Sequence, residues 1–328
     1  MLMVAAFTVP DDFPKTILEF EDRFGTEKDC IEFLAKLRWP EGFTCPKCKH
    51  PVGWTLARGL FECASCHCQT SVTAGTVFHG TRKPLRLWFR AMYFMTTQKL
   101  GLSAKNFMRM MGFTSYQTAW TWLHKLRRAM VRVDRPKLEG LVEVDEAFVG
   151  GPEEGTRGRG GDKALIGAAV ELLASSEASR VKKPLLGRVR LDVLEDATQV
   201  SLSTFVHANV SGDATVRTDG LASYDELSEL GFDHEKVVLN DPKEASKRLR
   251  AVHTVFSLVK RWLLGTHQGA VSEKHLFWYL QEYTFRFNRR ASSHPVKLFH
   301  RLAEQIMHTG PTTYRSLVDA PPAEACPT

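Results

Sequence analysis

Cys45-Pro-Lys-Cys48 and Cys63-Ala-Ser-Cys66 together read C-x2-C-x14-C-x2-C. Four thiolates at this spacing can close a tetrahedral Zn²⁺ site, each C-x2-C turn supplying two ligands. With four cysteines no coordination position stays open, so the expected role is structural rather than catalytic. Cys68, His50 and His67 lie close enough in sequence to compete as ligands. Buried free cysteines are the plain alternative. A thioredoxin-like redox pair is a poorer one, because no βαβ pattern surrounds either C-x2-C. Five of the seven cysteines fall between Cys45 and Cys68. An odd, clustered count fits a reducing compartment and a metal site, not a disulfide scaffold. Residues 41–78 around it, rich in Gly, Cys and Thr, read as short strands and turns.

The rest of the 328 residues is ordinary globular material, 43% hydrophobic and 25% charged, enough for about two domains. No apolar run reaches the 18 residues that suggest a membrane span, and no secretory leader pattern opens the chain, so a cytoplasmic protein is expected. The net charge is +7. Its placement matters more than its size: residues 79–135 hold 12 Lys/Arg against Asp134 alone, and 240–301 hold 12 against 4. Two separated basic segments suggest a polyanion, most economically nucleic acid. Trp88, Phe89, Trp120 and Trp122 in the first segment add candidate stacking surfaces. A pair of solvated faces is the bland alternative.

Apolar periodicity predicts one or two short helices over 10–40 and three over 84–132. Pro84 opens the first of these three, Ser103 caps the second before Gly112, and Ser115 caps the third. The second and third read as a helix-turn-helix. Lys125, Arg127, Arg128 and Arg132 are its candidate phosphate contacts, with Gln117 and Thr118 placed to reach base edges. A purely structural three-helix bundle is the competing reading. Residues 140–220 then switch to three consecutive strands, a helix over ATQVSLSTFVHANV and a fourth strand, ATVRTDG; from about 221 the chain is expected to be mostly helical.

Asp145 falls inside the first of these strands, sharing a face with Glu143 and Ala147, while Glu146 faces the other way. Asp219 ends the fourth. A lone strand-end Asp is usually a turn former. In a ribonuclease-H-like sheet, however, the first and fourth strands are neighbours, which would pair Asp145 with Asp219 as hard ligands for Mg²⁺. His253 lies beside the apolar face of a helix over 250–264, with Ser257, Lys260 and Arg261 along the same polar stripe. It is a candidate third ligand or proton carrier; a histidine satisfied by a backbone carbonyl is the alternative.

With RWPEGFTCPKC, QTSVTAGTVFHGTRKPL, SYQTAW, VEVDEAFVGG, VRTDG, VFSLVKRWLLGTH and KHLFWYLQEYTFRFNRR in this order, the chain resembles transposases of the IS1595 type, with an ISXO2-like DDE domain, over roughly 13–305. The resemblance implies an α+β multidomain chain: N-terminal helices plus zinc ribbon over 10–78, a basic helical DNA-binding segment over 79–135, a ribonuclease-H-like catalytic domain over 136–305, and a tail over 306–328. It implies cleavage and strand transfer with Mg²⁺ (or Mn²⁺) at the ends of an insertion sequence, with Zn²⁺ in the ribbon. Partners would be double-stranded DNA, as terminal inverted repeats and target, and further copies of the chain, in a bacterial, nucleoid-associated setting.

The family's first two acids match Asp145 and Asp219; its third position, Glu or Asn in many relatives, falls on His253. Imidazole suits Mn²⁺ better than Mg²⁺ and can instead serve as a base. Glu171, at the end of the second strand, is a candidate compensating carboxylate. Lys260 and Arg261 could grip the phosphate at the scissile bond, while Arg286, Arg289 and Arg290 read as core-edge and backbone contacts. The Gly-rich segment 150–161 lacks a P-loop signature and reads as a hairpin loop. An inactive or domesticated transposase acting only through DNA binding is the alternative that His253 keeps open.

Overall fold

The computed structural model describes residues 13–132, 134–150, 163–173, 185–237, 249–268, 271–292, 294 and 296–319. They divide into two compact units, 13–132 with 291–319, and 134–290. The segment read as a hairpin loop, 150–161, lies outside the described residues apart from Gly150.

The first unit begins with two short helices, α1 (Ile17–Arg23) and α2 (Glu27–Arg38), separated at Gly25. Each starts with a capping box, Thr16 with Glu19 and Thr26 with Asp29. Three short antiparallel strands follow: β1 (Gly53–Thr55), β2 (Leu60–Cys63) and β3 (Gln69–Ser71). Their small aromatic cluster stacks Phe43 on Phe61, with Trp39 edge-on to both. Gly53 is required here, since a Cβ would lie 2.5 Å from the Glu62 carbonyl oxygen and 2.6 Å from the Phe43 ring.

Helices α3 (Leu85–Thr97), α4 (Ala104–Met110) and α5 (Tyr116–Ala129) come next, as the sequence predicts. The indoles of Trp88 and Trp122 stack with centroids 3.6 Å apart, joining α3 to α5. Trp88, Phe89 and Trp122 are buried, so three of the four aromatics expected as nucleic-acid stacking surfaces are core instead.

The boundaries expected at 78/79 and at 305/306 are not where the structure divides. Helix α9 (Val296–His308) lies in the first unit, because Val296, Phe299, Leu302, Ala303 and Ile306 form a buried stripe at helical spacing that packs on α2, α3 and α5. The Phe299 ring centroid is 4.9 Å from Phe20, 5.3 Å from Phe89 and 5.7 Å from Phe24. The short α10 (Tyr314–Val318) contacts α5.

The second unit is a five-stranded sheet in the order β6-β5-β4-β7-β8. Strands β4 (Leu141–Val149), β5 (Ala164–Leu173) and β6 (Leu185–Leu194) are antiparallel neighbours; β7 (Thr215–Asp219) and β8 (Asp233–Val237) continue parallel to β4. Between β6 and β7 runs α6 (Gln199–Asn209), which covers one face with Val142, Val144, Leu165 and Val216 beneath it. Helices α7 (Arg250–His267) and α8 (Glu273–Phe287) cover the other, over Ile166, Ala168, Val170, Val189 and Leu191. The expectation of a mostly helical chain after 221 misses β8. That edge strand reads Asp-His-Glu-Lys-Val with a largely exposed pattern, so hydrophobic alternation gives no sign of it.

Candidate metal centre and active site

Both C-x2-C turns fold alike. Lys49 and His67, each one residue past the second cysteine, take left-handed backbone conformations with φ of 64° and 52°. The Lys49 N–H donates to the Cys45 carbonyl and the His67 N–H to the Cys63 carbonyl, at 2.9 and 3.1 Å. The turns face each other, and the four sulfurs of Cys45, Cys48, Cys63 and Cys66 lie within 4.8 Å of one another. Two of the separations are 3.7 Å (Cys45–Cys66) and 3.5 Å (Cys48–Cys63). Tetrahedral zinc with Zn–S bonds of about 2.3 Å requires sulfurs about 3.8 Å apart, so the cage fits the ion. The backbone N–H groups of Cys48 and Lys47 point at the Cys45 sulfur and bring that thiol down to about 6. Neither His50 nor His67 joins the cage; His67 faces Glu62 instead, at 3.4 Å.

In the second unit, the last paired positions of β4 and β7 set Glu143 opposite Arg217. Two residues further along each strand come Asp145 and Asp219, on neighbouring strands and on the face that α7 covers. Asp145 is 8% exposed. Its Oδ1 accepts the Glu146 backbone N–H at 2.9 Å, and its Oδ2 lies 3.8 Å from Nδ1 of His253 on α7. Burial, reinforced by the negative charges of Glu146 and Asp219, pushes the Asp145 carboxyl up to about 7. Asp219 turns the chain, its Oδ1 accepting the Leu221 N–H at 3.0 Å. His253 is held below its ordinary value by burial, partly opposed by Asp219. Lys260, two turns along α7, is lowered by burial and feels Asp145 in the opposite sense; Arg261 beside it is exposed. Among the described residues the four cysteines are the one group drawn tightly enough to hold a metal unaided; Asp145, Asp219 and His253 stand further apart. Their donor set, two carboxylates and an imidazole with one carboxylate destabilised by like charge, nonetheless suits a divalent cation.

Glu143 is the residue whose part sequence reasoning missed. Helix α7 has no side-chain cap of its own. The Glu143 Oε2 supplies one, accepting the backbone N–H groups of Ala251 and Val252 at 2.7 and 3.0 Å. A buried strand carboxylate thus fixes the start of the helix that brings His253 to Asp145. Its place on the Asp145 face was legible; its partner, 108 positions away, was not. We expect Glu143→Ala to cost about 1–2 kcal/mol in chemical denaturation, the worth of a helix cap, whereas Glu143→Gln keeps an acceptor and loses less.

Two expectations are corrected. Glu171 cannot supply a compensating carboxylate. It pairs with Val142 on the α6 face of the sheet and is engaged by Arg188, whose Nη2 lies 2.7 Å from Oε1. Among the expected phosphate contacts of α5, Arg127 is 1% exposed. Lys125 is half-buried, and Arg128 donates to the Ser316 carbonyl at 3.1 Å. The C-terminal half of α5 packs against α3, α9 and α10, which encloses Arg127 and leaves Lys125 and Arg128 only partly at solvent. The exposed part of the helix is its first turn, with Tyr116 and Gln117.

The charge on Asp145 makes a prediction for the metal-free protein. Its folded value of about 7 lies above the ordinary 3.8. The native state therefore holds a proton that the unfolded chain has released between those limits, and stability falls as pH rises through that window. In EDTA, Asp145→Asn should match the wild type in thermal melts near pH 4 and exceed it at pH 8, by on the order of 3 kcal/mol. Equal pH dependence of the two proteins would contradict this burial.

Residues 137–288 match the ISXO2-like transposase domain, and residues 25–69 match the transposase zinc-ribbon domain of the same type. Together the two matches span more than half of the chain. The chain belongs to the IS1595-type transposase family. A relative from Halobacterium salinarum, an uncharacterized protein in transposable element ISH50, is 28% identical over 277 residues, covering 80% of this chain and 91% of its own length. The zinc-ribbon match ends at Gln69 and contains all four cysteines; the transposase-domain match contains Asp145, Asp219 and His253. Among the described residues no helix of this transposase-family chain is long and apolar enough to cross a membrane.

Proposed function

We propose that the chain is an insertion-sequence transposase: it binds the terminal inverted repeats of its element, cleaves their ends and joins them to target DNA. One observation carries the reading. Asp145 and Asp219 end up on adjacent parallel strands, on one face, with His253 3.8 Å from Asp145. The strand order and orientations of the second unit support a ribonuclease-H-like core.

Asp145 and Asp219 would hold Mg²⁺ or Mn²⁺, which when bound supplies positive charge at the attacked phosphate. The residues do the rest. Glu143 fixes α7 so that His253 meets Asp145. With Nδ1 toward Asp145, Nε2 of the neutral imidazole is left to take a proton from the attacking water or 3′-OH. Lys260 and Arg261, on the same stripe of α7, clamp the phosphate and hold the scissile bond in line. Water attack frees a 3′-OH at the element end; that 3′-OH then displaces a 3′-oxygen in the target strand, and no covalent protein–DNA link forms. The two ends must meet, so we place two or more copies on the DNA.

The looser spacing of the acidic trio, set against the cysteine cage, favours one second reading, a domesticated protein that only binds DNA. Incubating a pre-cut duplex end of the parent element with the chain and Mg²⁺ or Mn²⁺ decides between them. Joined products that vanish in EDTA support the transposase. Bound but unjoined ends under both metals refute it in favour of the binder.

A further inference from the structure

With Arg127 buried and Arg128 bonded to the Ser316 carbonyl, α5 offers few free cations, and a more exposed set lies elsewhere in the first unit. The first unit has an open groove of about 750 Å³ bounded by the start of α2, the turn between β1 and β2, the exit of β3 and the loop entering α3. Four cations line it, Arg58, Arg82, Lys83 and Arg86, against one carboxylate, Glu27. That carboxylate is already engaged. Its Oε1 accepts the Leu85 N–H at 2.8 Å and its Oε2 the Arg86 N–H at 3.4 Å, capping α3. Arg86, itself exposed, donates to the Gly25 carbonyl at 2.9 Å. Arg58, Arg82 and Lys83 are exposed, and among the described residues none has a carboxylate within ion-pair distance.

The walls are tied to one another by hydrogen bonds and packing, which separates this groove from a chance gathering of surface cations. The Trp88 indole N–H donates to Thr81 Oγ1 at 2.9 Å, pinning the loop that carries Arg82 and Lys83. The turn bearing Arg58 is tight. Gly59 sits at φ +73°, so close to α2 that a Cβ would lie 2.9 Å from Ile31 Cδ1. Arg38 of α2 donates to the carbonyls of Ser71 and Val72, tying the end of β3 to the same helix.

We infer that this groove is a track for the sugar-phosphate backbone of DNA, in which Arg58, Arg82 and Lys83 each neutralise a phosphate. Net positive charge, hydrogen-bond donors held in fixed places and an open trough match a continuous polyanion. The identity of that polyanion rests on the transposase reading. The contacts supply affinity and register without reading sequence, leaving base recognition to exposed side chains such as Gln117. Clamping the ribbon, α2 and α3 around one trough also gives the zinc centre a purpose: it fixes the wall that carries Arg58.

The test uses the full-length, zinc-loaded chain, with a duplex copied from the end of the parent element and an unrelated duplex of equal length. Binding is titrated over a salt series for the wild type, for Arg58→Gln/Arg82→Gln/Lys83→Gln, and for Lys105→Gln/Arg109→Gln on α4. Each released phosphate contact removes about 0.9 from the slope of log K against log salt, so the groove variant should lose between about 2 and 3. Its affinity should fall on the order of 10²-fold on both duplexes alike, with zinc content and melting temperature unchanged. An unchanged slope in the groove variant, or a loss confined to the α4 variant, overturns the inference; metal-dependent joining by the wild type would then still uphold the transposase. Failure of the wild type to bind either duplex would remove both.

Discussion

Asp145→Asn abolishes strand transfer, lowering the joining rate by at least roughly 10³-fold, which corresponds to about 4 kcal/mol of lost transition-state stabilisation. The substitution keeps shape and removes charge. Asn Oδ1 can still accept the Glu146 N–H that Asp145 accepts at 2.9 Å, so the strand is undisturbed. What goes is one hard anionic ligand and half of the pair that Asp145 makes with Asp219. DNA affinity should be nearly unchanged, since the groove cations lie in the other unit. The loss cannot be ascribed to misfolding either, because the same variant should be the more stable protein in EDTA at pH 8. A variant that joined ends at the wild-type rate would take Asp145 out of the chemistry. One that lost joining together with its fold would leave the site without support.

Replacing Cys63 by Ser, or chelating the metal from the wild type, unfolds the ribbon. Structural zinc contributes about 10–16 kcal/mol in free zinc-finger peptides, far beyond what the Trp39, Phe43 and Phe61 cluster can supply. Cys63 is fully buried and its sulfur lies 3.5 Å from that of Cys48, so a hydroxyl there leaves the cage one thiolate short. The expected signs are less than one zinc per chain, new protease cuts between 41 and 78, and weakened DNA binding, with the second unit still folded. A full zinc complement in Cys63→Ser would mean that Cys68 or a nearby histidine completes the site.

The cage and the neighbouring placement of Asp145 and Asp219 were legible because each is a local signal: ligand spacing within one small segment, and one acid inside the first strand and another ending the fourth of a β-β-β-α-β run. Three things were not legible, and each depends on distant partners. The cations of α5 look like one phosphate-binding face until α9 and α10, nearly two hundred residues on, pack beside it, burying Arg127 and giving Arg128 the Ser316 carbonyl as a partner. Glu171 looks like a spare ligand until Arg188, on the next strand, claims it. Glu143 has no visible purpose until α7 starts above it. β8 escaped for a different reason: an edge strand carries its information in backbone pairing, not in its side chains.

The return of α9 to the first unit has a consequence for synthesis. The core around Phe20, Phe24 and Phe89 lacks Phe299 until the whole of the second unit has been synthesised, so in sequence the second unit is an insert within the first. A chain released early, before residue 291, would contain all four cysteines of the cage and both acids yet leave the aromatic core open on one side. Domains generally fold in order of emergence. Here the first unit to emerge is the last to complete its core, so a truncated product would lack the packed frame on which the proposed phosphate track rests.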